Sequence, residues 1–170
     1  MNCILAGDVG GTQTFIGLFE RGGGGRRPRP LSVFTYPTAA SESFTAILES
    51  FVRDVGRPVA VDAAAAGVAG PVVDERARLT NIEWDVSAHE IAEFLGTTRV
   101  KLVNDLEAMA HSLMVLQPSE LHVLQEGRAL DGAARALSSA GVGPRAQRIR
   151  PAHRCPAGRA GPGGRRAPVP

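Results

Sequence analysis

The sequence predicts an α/β fold that starts with a meander of three strands, and two patterns in its apolar residues support this fold class. Residues 2–7 and 13–20 are apolar runs on either side of a glycine-rich turn, which is typical of a strand hairpin, and residues 31–36 alternate as a third strand would. After residue 43 the apolar residues recur about every 3.6 positions. Strands then alternate with helices, and this order favours an α/β domain.

Three helices, two further strands and a short hairpin are predicted after the meander. The first helix carries an apolar stripe from Phe44 to Val55 and is stopped by Gly56. Ser87 and Glu90 have the spacing of a capping box, which marks the start of the second helix. The other predicted elements are a buried strand at 59–66, another strand at 99–103, a short hairpin at 72–79, and a third helix with apolar positions at Leu106, Met109, Ala110 and Leu113.

Charge divides the chain into two parts of different composition. Residues 1–132 hold all 17 acidic residues against 11 basic ones, whereas residues 133–170 hold eight arginines and no acid. The second part is rich in glycine, proline and alanine and has no periodic apolar face, so it cannot bury enough surface to offset its ordering entropy. We therefore expect an N-terminal domain at 1–132 and a disordered tail at 133–170.

A glycine-rich motif, DVGGTQT, begins at Asp8, where the first strand turns into the second. Gly10 and Gly11 lack a Cβ, so their N–H groups can approach a ligand closely and adopt positive φ, and consecutive N–H groups in a tight turn bind anions. Thr12 and Thr14 add hydroxyl donors, and the Asp8 carboxylate suits Mg2+. The motif predicts a phosphate site, and the alternative is an ordinary hairpin turn at the two glycines.

A second polar motif, LVNDLEA, places Asn104 and Asp105 where a strand ends and a helix begins. Open α/β sheets bind ligands at the carboxyl ends of their strands. The Asp105 carboxylate could orient a substrate hydroxyl and accept its proton during phosphoryl transfer, and the Asn104 amide suits a sugar hydroxyl. The alternative is that these residues only cap the helix, because Asn and Asp are common N-caps.

Between the two motifs lies a segment whose role the residues alone leave open. GVAGPV, residues 67–72, permits a sharp exit from a strand, and Thr80 and Asn81 could face a polar ligand. By themselves these residues indicate only a loop.

Taken together, the three segments resemble the bacterial glucokinase family, which belongs to the superfamily of actin, hexokinases and sugar kinases. The matching motifs are GDVGGTQT at 7–14, GVAGPV at 67–72 with LTNIEW at 79–84, and LVNDLEA at 102–108. The resemblance runs from about residue 3 to about residue 131. It implies a ribonuclease-H-like (actin-like ATPase) domain, joined in the family to a second such domain across a cleft.

The resemblance implies an ATP-dependent glucokinase that converts D-glucose to glucose 6-phosphate, the first step of glycolysis. ATP would enter with Mg2+, and Asp105 would be the base that activates the 6-hydroxyl. The phosphates of ATP would contact Asp8, Gly10, Gly11, Thr12 and Thr14. Glucose would contact Asn104 and Asp105, together with Thr80 and Asn81.

The sequence departs from the family after Gly132. Members continue for well over another hundred residues, with a second glycine-rich phosphate motif, a Glu-x-Gly-His stretch for the sugar and an adenine pocket, and none of these is present. We hypothesise that the family sequence ends near Gly132 and that a frameshift or a wrongly assigned gene end follows. We expect negligible turnover from the 170-residue chain and an exposed apolar surface where the second domain would pack.

Two other functions are alternatives to a kinase. A non-catalytic sugar-binding regulator of the same superfamily would carry a helix-turn-helix ahead of the sugar domain, and here the first motif already begins at Asp8. The arginine-rich tail could bind nucleic acid through phosphate contacts, but it lacks aromatic residues for base stacking. We expect a cytoplasmic protein with no membrane span and no specific nucleic-acid partner. The family resemblance also allows a homodimer.

Overall fold

The computed structural model describes residues 3–22, 27–79, 82, 84–128, 135–140 and 144–149. No helix in these ranges is long and apolar enough to cross a membrane. The strands are β1 (Cys3–Val9), β2 (Gln13–Glu20), β3 (Arg29–Pro37), β4 (Ala63–Val68), β5 (Val72–Val73), β6 (Arg76–Arg78), β7 (Asp85–Ser87), β8 (Val100–Asn104), β9 (Arg135–Ala140) and β10 (Pro144–Ile149). The helices are α1 (Phe44–Val55), α2 (Ala88–Leu95) and α3 (Asp105–Ser112).

Five strands form the main sheet in the order β3-β2-β1-β4-β8. The first three strands pair as antiparallel neighbours, which confirms the predicted meander. β4 and β8 then join β1 in parallel, after connections that contain α1 and α2. The carboxyl ends of β1, β4 and β8 therefore meet at the same edge of the sheet.

Helix α1 covers one face of this sheet, as its apolar stripe requires. Its end is as predicted: Gly56 has a φ of 67°, a left-handed backbone that glycine adopts without strain. On the sheet side, Phe51 meets Phe34 of β3 edge to face, with ring centroids 5.9 Å apart. The buried side chains of the helix are Phe44, Ile47, Leu48 and Phe51.

Helix α3 packs on the opposite face of the sheet. A Cβ added to Gly67 of β4 would lie 2.9 Å from the Cβ of Ala108 in α3, whereas a Cβ added to Gly7 of β1 would meet Phe44 of α1 at 3.6 Å. The buried face of α3 is narrower than predicted, because Met109 remains 45% exposed.

A second, three-stranded antiparallel sheet contains β5, β6 and β7. It confirms the predicted hairpin at 72–79, whose turn has positive φ at Asp74 and Glu75. β7 leads directly into α2, where the Ser87 hydroxyl accepts a hydrogen bond from the N–H of Glu90. This cap confirms the predicted start of α2.

Two predicted segments are corrected by the structure. β4 begins at Ala63 rather than at residue 59, because its parallel pairing with β1 starts only there. β9 and β10 form an antiparallel pair next to α3, although we predicted disorder throughout 133–170. That prediction relied on apolar periodicity, whereas strand pairing is made by main-chain groups. The rest of the predicted tail lies outside the described residues.

Replacing Leu48 with Ala should lower the free energy of unfolding by about 2–5 kcal/mol, because the Leu48 side chain is fully buried on the core side of α1 and the smaller side chain leaves a cavity. Urea unfolding measures this loss. The matched control is Leu124→Ala, since Leu124 is 92% exposed, and its effect should stay within about 0.5 kcal/mol. Equal losses from the two variants would contradict the described core.

Candidate functional site

The carboxyl ends of the three parallel strands bring the predicted motifs to one edge of the sheet. Val9 of β1 pairs with Val68 of β4, and Val68 pairs with Asn104 of β8. The turn after β1, the loop after β4 and the start of α3 therefore leave the sheet side by side. The predicted position of Asn104 and Asp105, at a strand end where a helix begins, is confirmed. Ligands of open α/β sheets bind at such edges.

The turn after β1 is closed by its own backbone. The N–H of Gly10 donates to the carbonyl of Gln13 at 3.1 Å. Neither Gly10 nor Gly11 has the positive φ that we expected. Gly10 is required for space instead, because a Cβ there would lie 2.9 Å from the Gln13 carbonyl oxygen. Among the described residues, no acceptor pairs with the N–H of Gly11 or Thr12, so both can meet an anion.

Thr14 does not face this turn, which corrects the prediction that it contacts phosphate. Its side chain is fully buried, and its Oγ1 lies 2.9 Å from the Oγ1 of Thr38. Thr38 also donates its N–H to the carbonyl of Thr12 at 3.0 Å. The Thr14 hydroxyl thus supports the turn from the protein interior, whereas the side chain of Thr12 is exposed.

Asn104 uses both ends of its side-chain amide within the protein. Its Oδ1 accepts a hydrogen bond from the N–H of Leu106 at 3.0 Å, so Asn104 is the N-cap of α3. Its Nδ2 donates to the carbonyl of Gly70 at 2.9 Å. Asn104 therefore does cap the helix, which does not exclude a ligand. The amide keeps a second hydrogen and a second lone pair, with which it can still bind a hydroxyl.

Asp105 is the first residue of α3 and is partly buried. Its Oδ1 accepts a hydrogen bond from the N–H of Leu106 at 2.9 Å, which orients the carboxylate. The helix N-terminus also stabilises its negative charge. Within the described part of the chain no donor pairs with Oδ2, so this oxygen is available to a substrate hydroxyl.

Two hydrogen bonds connect the three strand ends through the loop after β4. The N–H of Ala69 donates to the carbonyl of Val9 at 3.0 Å, and the carbonyl of Gly70 accepts the bond from Asn104. Gly70 has no room for a side chain, because a Cβ there would clash with the carbonyl of Arg78. The segment that by itself indicated only a loop therefore joins the other two motifs.

Gly67 separates the two carboxylates of the site. It pairs with Asp8 across β1 and β4, and neighbouring strands lie about 4.8 Å apart with paired side chains on the same face. A Cβ on Gly67 would lie 3.8 Å from the Cα of Asp105. Asp8 and Asp105 therefore lie on either side of one glycine, at the same edge of the sheet.

The negative charge of Asp105 acts on Asp8. The pKa of Asp8 is raised above its ordinary value, first because the surrounding protein removes water from its carboxylate and second because Asp105 repels its charge. The side chain of Asp8 nevertheless stays exposed to solvent, which screens the repulsion. A cation close to Asp8 would relieve this repulsion further.

The donor groups at this edge fit a magnesium ion that arrives with a nucleotide. Within the described ranges, no three side chains of the His, Cys, Asp or Glu types gather into a metal site. Mg2+ commonly keeps several waters and is held by one or two carboxylates together with substrate phosphates. Asp8, next to a turn with free N–H groups, matches that arrangement.

The structure leaves part of the predicted site untested and adds residues that we did not single out. Thr80 and Asn81 lie outside the described residues, so their contact with a sugar stays a prediction. Nothing in the sequence distinguishes Thr38 from any other threonine between a strand and a helix, so its role could not be predicted. Gly67 and Ala69 belong to a motif that we noted, but their roles depend on partners distant in sequence.

Comparison with known proteins gives a family match over most of the chain. The family model described as Glucokinase matches residues 5–163, so the match continues past residue 131, where we placed the end of the resemblance. A glucokinase of Synechocystis sp. PCC 6803 is 34% identical, with 82% of this chain and 41% of that protein covered. The chain spans about two fifths of the length of the curated relatives it matches.

Solved structures show the same fold. A glucokinase from an Antarctic psychrotroph superposes with a TM-score of 0.78 at 24% identity, over 89% of this chain and 48% of that one. A Balamuthia mandrillaris glucokinase, solved in complex with glucose, gives a TM-score of 0.53 at 21% identity, over 66% of this chain and 32% of that one. The predicted ribonuclease-H-like fold of the actin-like ATPases is confirmed.

Replacing Gly67 with Ala should destabilise the chain by about 1–3 kcal/mol, because the new methyl group overlaps Ala108 and pushes α3 away from the sheet. The free energy of unfolding in urea measures this. Gly127→Ala is the matched control, since a Cβ at Gly127 meets nothing within 4 Å and should change stability by less than about 0.5 kcal/mol. If both variants are equally stable, α3 does not pack on Gly67.

The pKa of Asp8, measured by NMR on its carboxyl carbon, should exceed the ordinary value of about 3.9. Asp105→Asn should lower this pKa part of the way, because burial of Asp8 remains after the repelling charge is removed. An Asp8 pKa that does not respond to Asp105→Asn would show that the two carboxylates are not neighbours.

The raised pKa of Asp8 also determines how the stability of the folded chain changes with pH. The folded chain keeps the Asp8 proton at pH values where the unfolded chain has lost it, so ionisation of Asp8 lowers stability as the pH rises above about 3.9. Asp8→Asn should therefore raise Tm at pH 7 but not at pH 3. The corresponding gain in the free energy of unfolding should stay below about 1 kcal/mol, because solvent screens the exposed carboxylate.

Proposed function

We propose, because this chain belongs to the glucokinase family, that it forms one wall of an ATP-dependent glucose kinase site. The turn after β1 binds the phosphates of ATP, and the start of α3 binds glucose. The reaction transfers the γ-phosphoryl group of ATP to the 6-hydroxyl of D-glucose, giving glucose 6-phosphate and ADP. The observation that carries the proposal is the position of Asp8 and Asp105 on either side of Gly67.

Asp105 is the proposed general base. Its Oδ1 is held by the N–H of Leu106, which leaves Oδ2 to accept the proton of the 6-hydroxyl. As that proton leaves, the hydroxyl oxygen forms a bond to the γ-phosphorus, and the bond from the γ-phosphorus to the β–γ bridging oxygen breaks. Asn104 would hold a neighbouring sugar hydroxyl with the amide hydrogen that it does not donate to Gly70.

The turn after β1 is the proposed phosphate site. The N–H groups of Gly11 and Thr12 would donate to phosphate oxygens, with the exposed hydroxyl of Thr12 beside them. Asp8 would hold Mg2+ directly or through a water molecule. When bound, Mg2+ supplies positive charge that offsets the charge of the phosphates.

Phosphoryl transfer needs groups on both sides of the reacting atoms, because the acceptor hydroxyl must be held in line with the leaving group and water must be excluded. The groups named here all lie at one edge of one sheet. Since the chain spans about two fifths of its curated relatives, we propose that it binds ligands but turns over negligibly by itself.

Titration of the 15N-labelled chain by NMR tests this proposal. Magnesium tripolyphosphate should shift the amide signals of Gly11 and Thr12, and glucose should shift the signals of Asn104 and Asp105. Asp105→Asn should weaken glucose binding about tenfold or more, because a hydrogen bond to a charged group is lost. Glu107→Gln, in the same turn of α3, is the matched control and should leave glucose binding unchanged.

The proposal fails if the two ligands shift signals away from this edge, for example along α2, or if Asp105→Asn and Glu107→Gln weaken glucose binding equally. Glucose-dependent ADP production by the purified 170-residue chain at ordinary kinase rates, which are about 1–100 per second, would contradict the proposal that it turns over negligibly.

A further inference from the structure

Thr38 belongs to none of the motifs, yet it contacts the turn after β1 at two points. Its N–H donates to the carbonyl of Thr12 at 3.0 Å, and its hydroxyl pairs with the hydroxyl of Thr14 at 2.9 Å. Thr12 and Thr14 are the two threonines of the DVGGTQT motif. One residue therefore holds the turn through its backbone and through its side chain.

The pair of hydroxyl groups is isolated from solvent. Both Thr14 and Thr38 have a side-chain exposure of 0%, and in the described part of the chain each hydroxyl has the other as its hydrogen-bond partner. A buried hydroxyl that loses its partner keeps the full cost of its desolvation. The pair therefore resists any movement that separates β2 from residue 38.

Thr38 is itself firmly anchored. It starts a single 3-10 turn, Thr38–Ala40, directly after β3. The carbonyl of Thr38 accepts the N–H of Ser41 at 3.1 Å, and the Ser41 hydroxyl donates to the carbonyl of Pro37 at 3.2 Å. Helix α1 begins shortly afterwards with the buried side chain of Phe44. The residue that supports the turn is therefore fixed by local hydrogen bonds between β3 and α1.

From these contacts we infer that Thr38 is a positioning residue for the turn after β1, the proposed phosphate site. It fixes Thr12 and Thr14 from inside, and this holds the N–H groups of Gly11 and Thr12 in the arrangement that binds phosphate. Thr38 does not contact the nucleotide, since its side chain faces the protein interior. The inference rests on the proposed function of the turn as the phosphate site.

Substitutions that preserve shape separate positioning from packing. Thr38→Val keeps the side-chain volume and the N–H bond to Thr12, but it removes the hydroxyl bond to Thr14. Thr38→Ser keeps the hydroxyl. The double variant Thr14→Val with Thr38→Val removes both hydroxyls, which restores a satisfied apolar contact and with it the stability lost in the single variant.

Binding of magnesium tripolyphosphate to the 170-residue chain, measured by 31P NMR titration, is the test, with Tm measured on the same samples. Thr38→Val should weaken binding about tenfold, which corresponds to about 1.4 kcal/mol, and should leave glucose binding unchanged. Thr38→Ser should bind as the unsubstituted chain does. The double variant should recover its Tm but not its affinity, because the hydrogen bond that fixes the turn is still missing.

Ser87→Ala is the control for a general loss of stability. Ser87 is a buried hydroxyl that caps α2, so this variant should lower Tm without changing the affinity for tripolyphosphate. If Thr38→Val binds tripolyphosphate normally, or if the double variant recovers affinity together with Tm, the inference is wrong and the phosphate site stands. If the folded, unsubstituted chain does not bind tripolyphosphate at all, both the phosphate site and the inference are wrong.

Discussion

The proposed site depends on two hydrogen bonds that run across the edge of the sheet, from Ala69 to Val9 and from Asn104 to Gly70. Parallel pairing brings the ends of β1, β4 and β8 to one edge, but it does not fix the loops that follow them. The two bonds do so, because they connect the last residues of β1 and β8 to the loop after β4. The turn after β1 and the start of α3 are thereby held in one arrangement.

Within that arrangement, a glycine sets the separation of two like charges. Gly67 lets α3 approach the sheet closely, so the charge of Asp105 adds to burial, the larger cause, in raising the pKa of Asp8. Repulsion of this kind costs stability in the free protein and favours the binding of a cation. A cation bound at this edge would offset that repulsion.

The sequence was sufficient to predict the elements that have a strong local period or a local cap. The bounds of β2 and α1 follow from such signals, and Asn104 was recognised at a strand end. What the sequence did not reveal depends on contacts between distant residues. The burial of Thr14 requires Thr38, 24 positions away, and the hairpin of β9 and β10 is made by main-chain pairing in a segment without a periodic apolar face.

The most direct test of this account is the scalar coupling that NMR detects across a hydrogen bond, between a donor nitrogen and an acceptor carbonyl carbon. The account predicts a coupling between the amide nitrogen of Ala69 and the carbonyl carbon of Val9, and another between the side-chain nitrogen of Asn104 and the carbonyl carbon of Gly70. Both should be present in the free chain. If neither is detected while couplings within the β1–β4 ladder are, the three strand ends are not tied together and the shared site is contradicted.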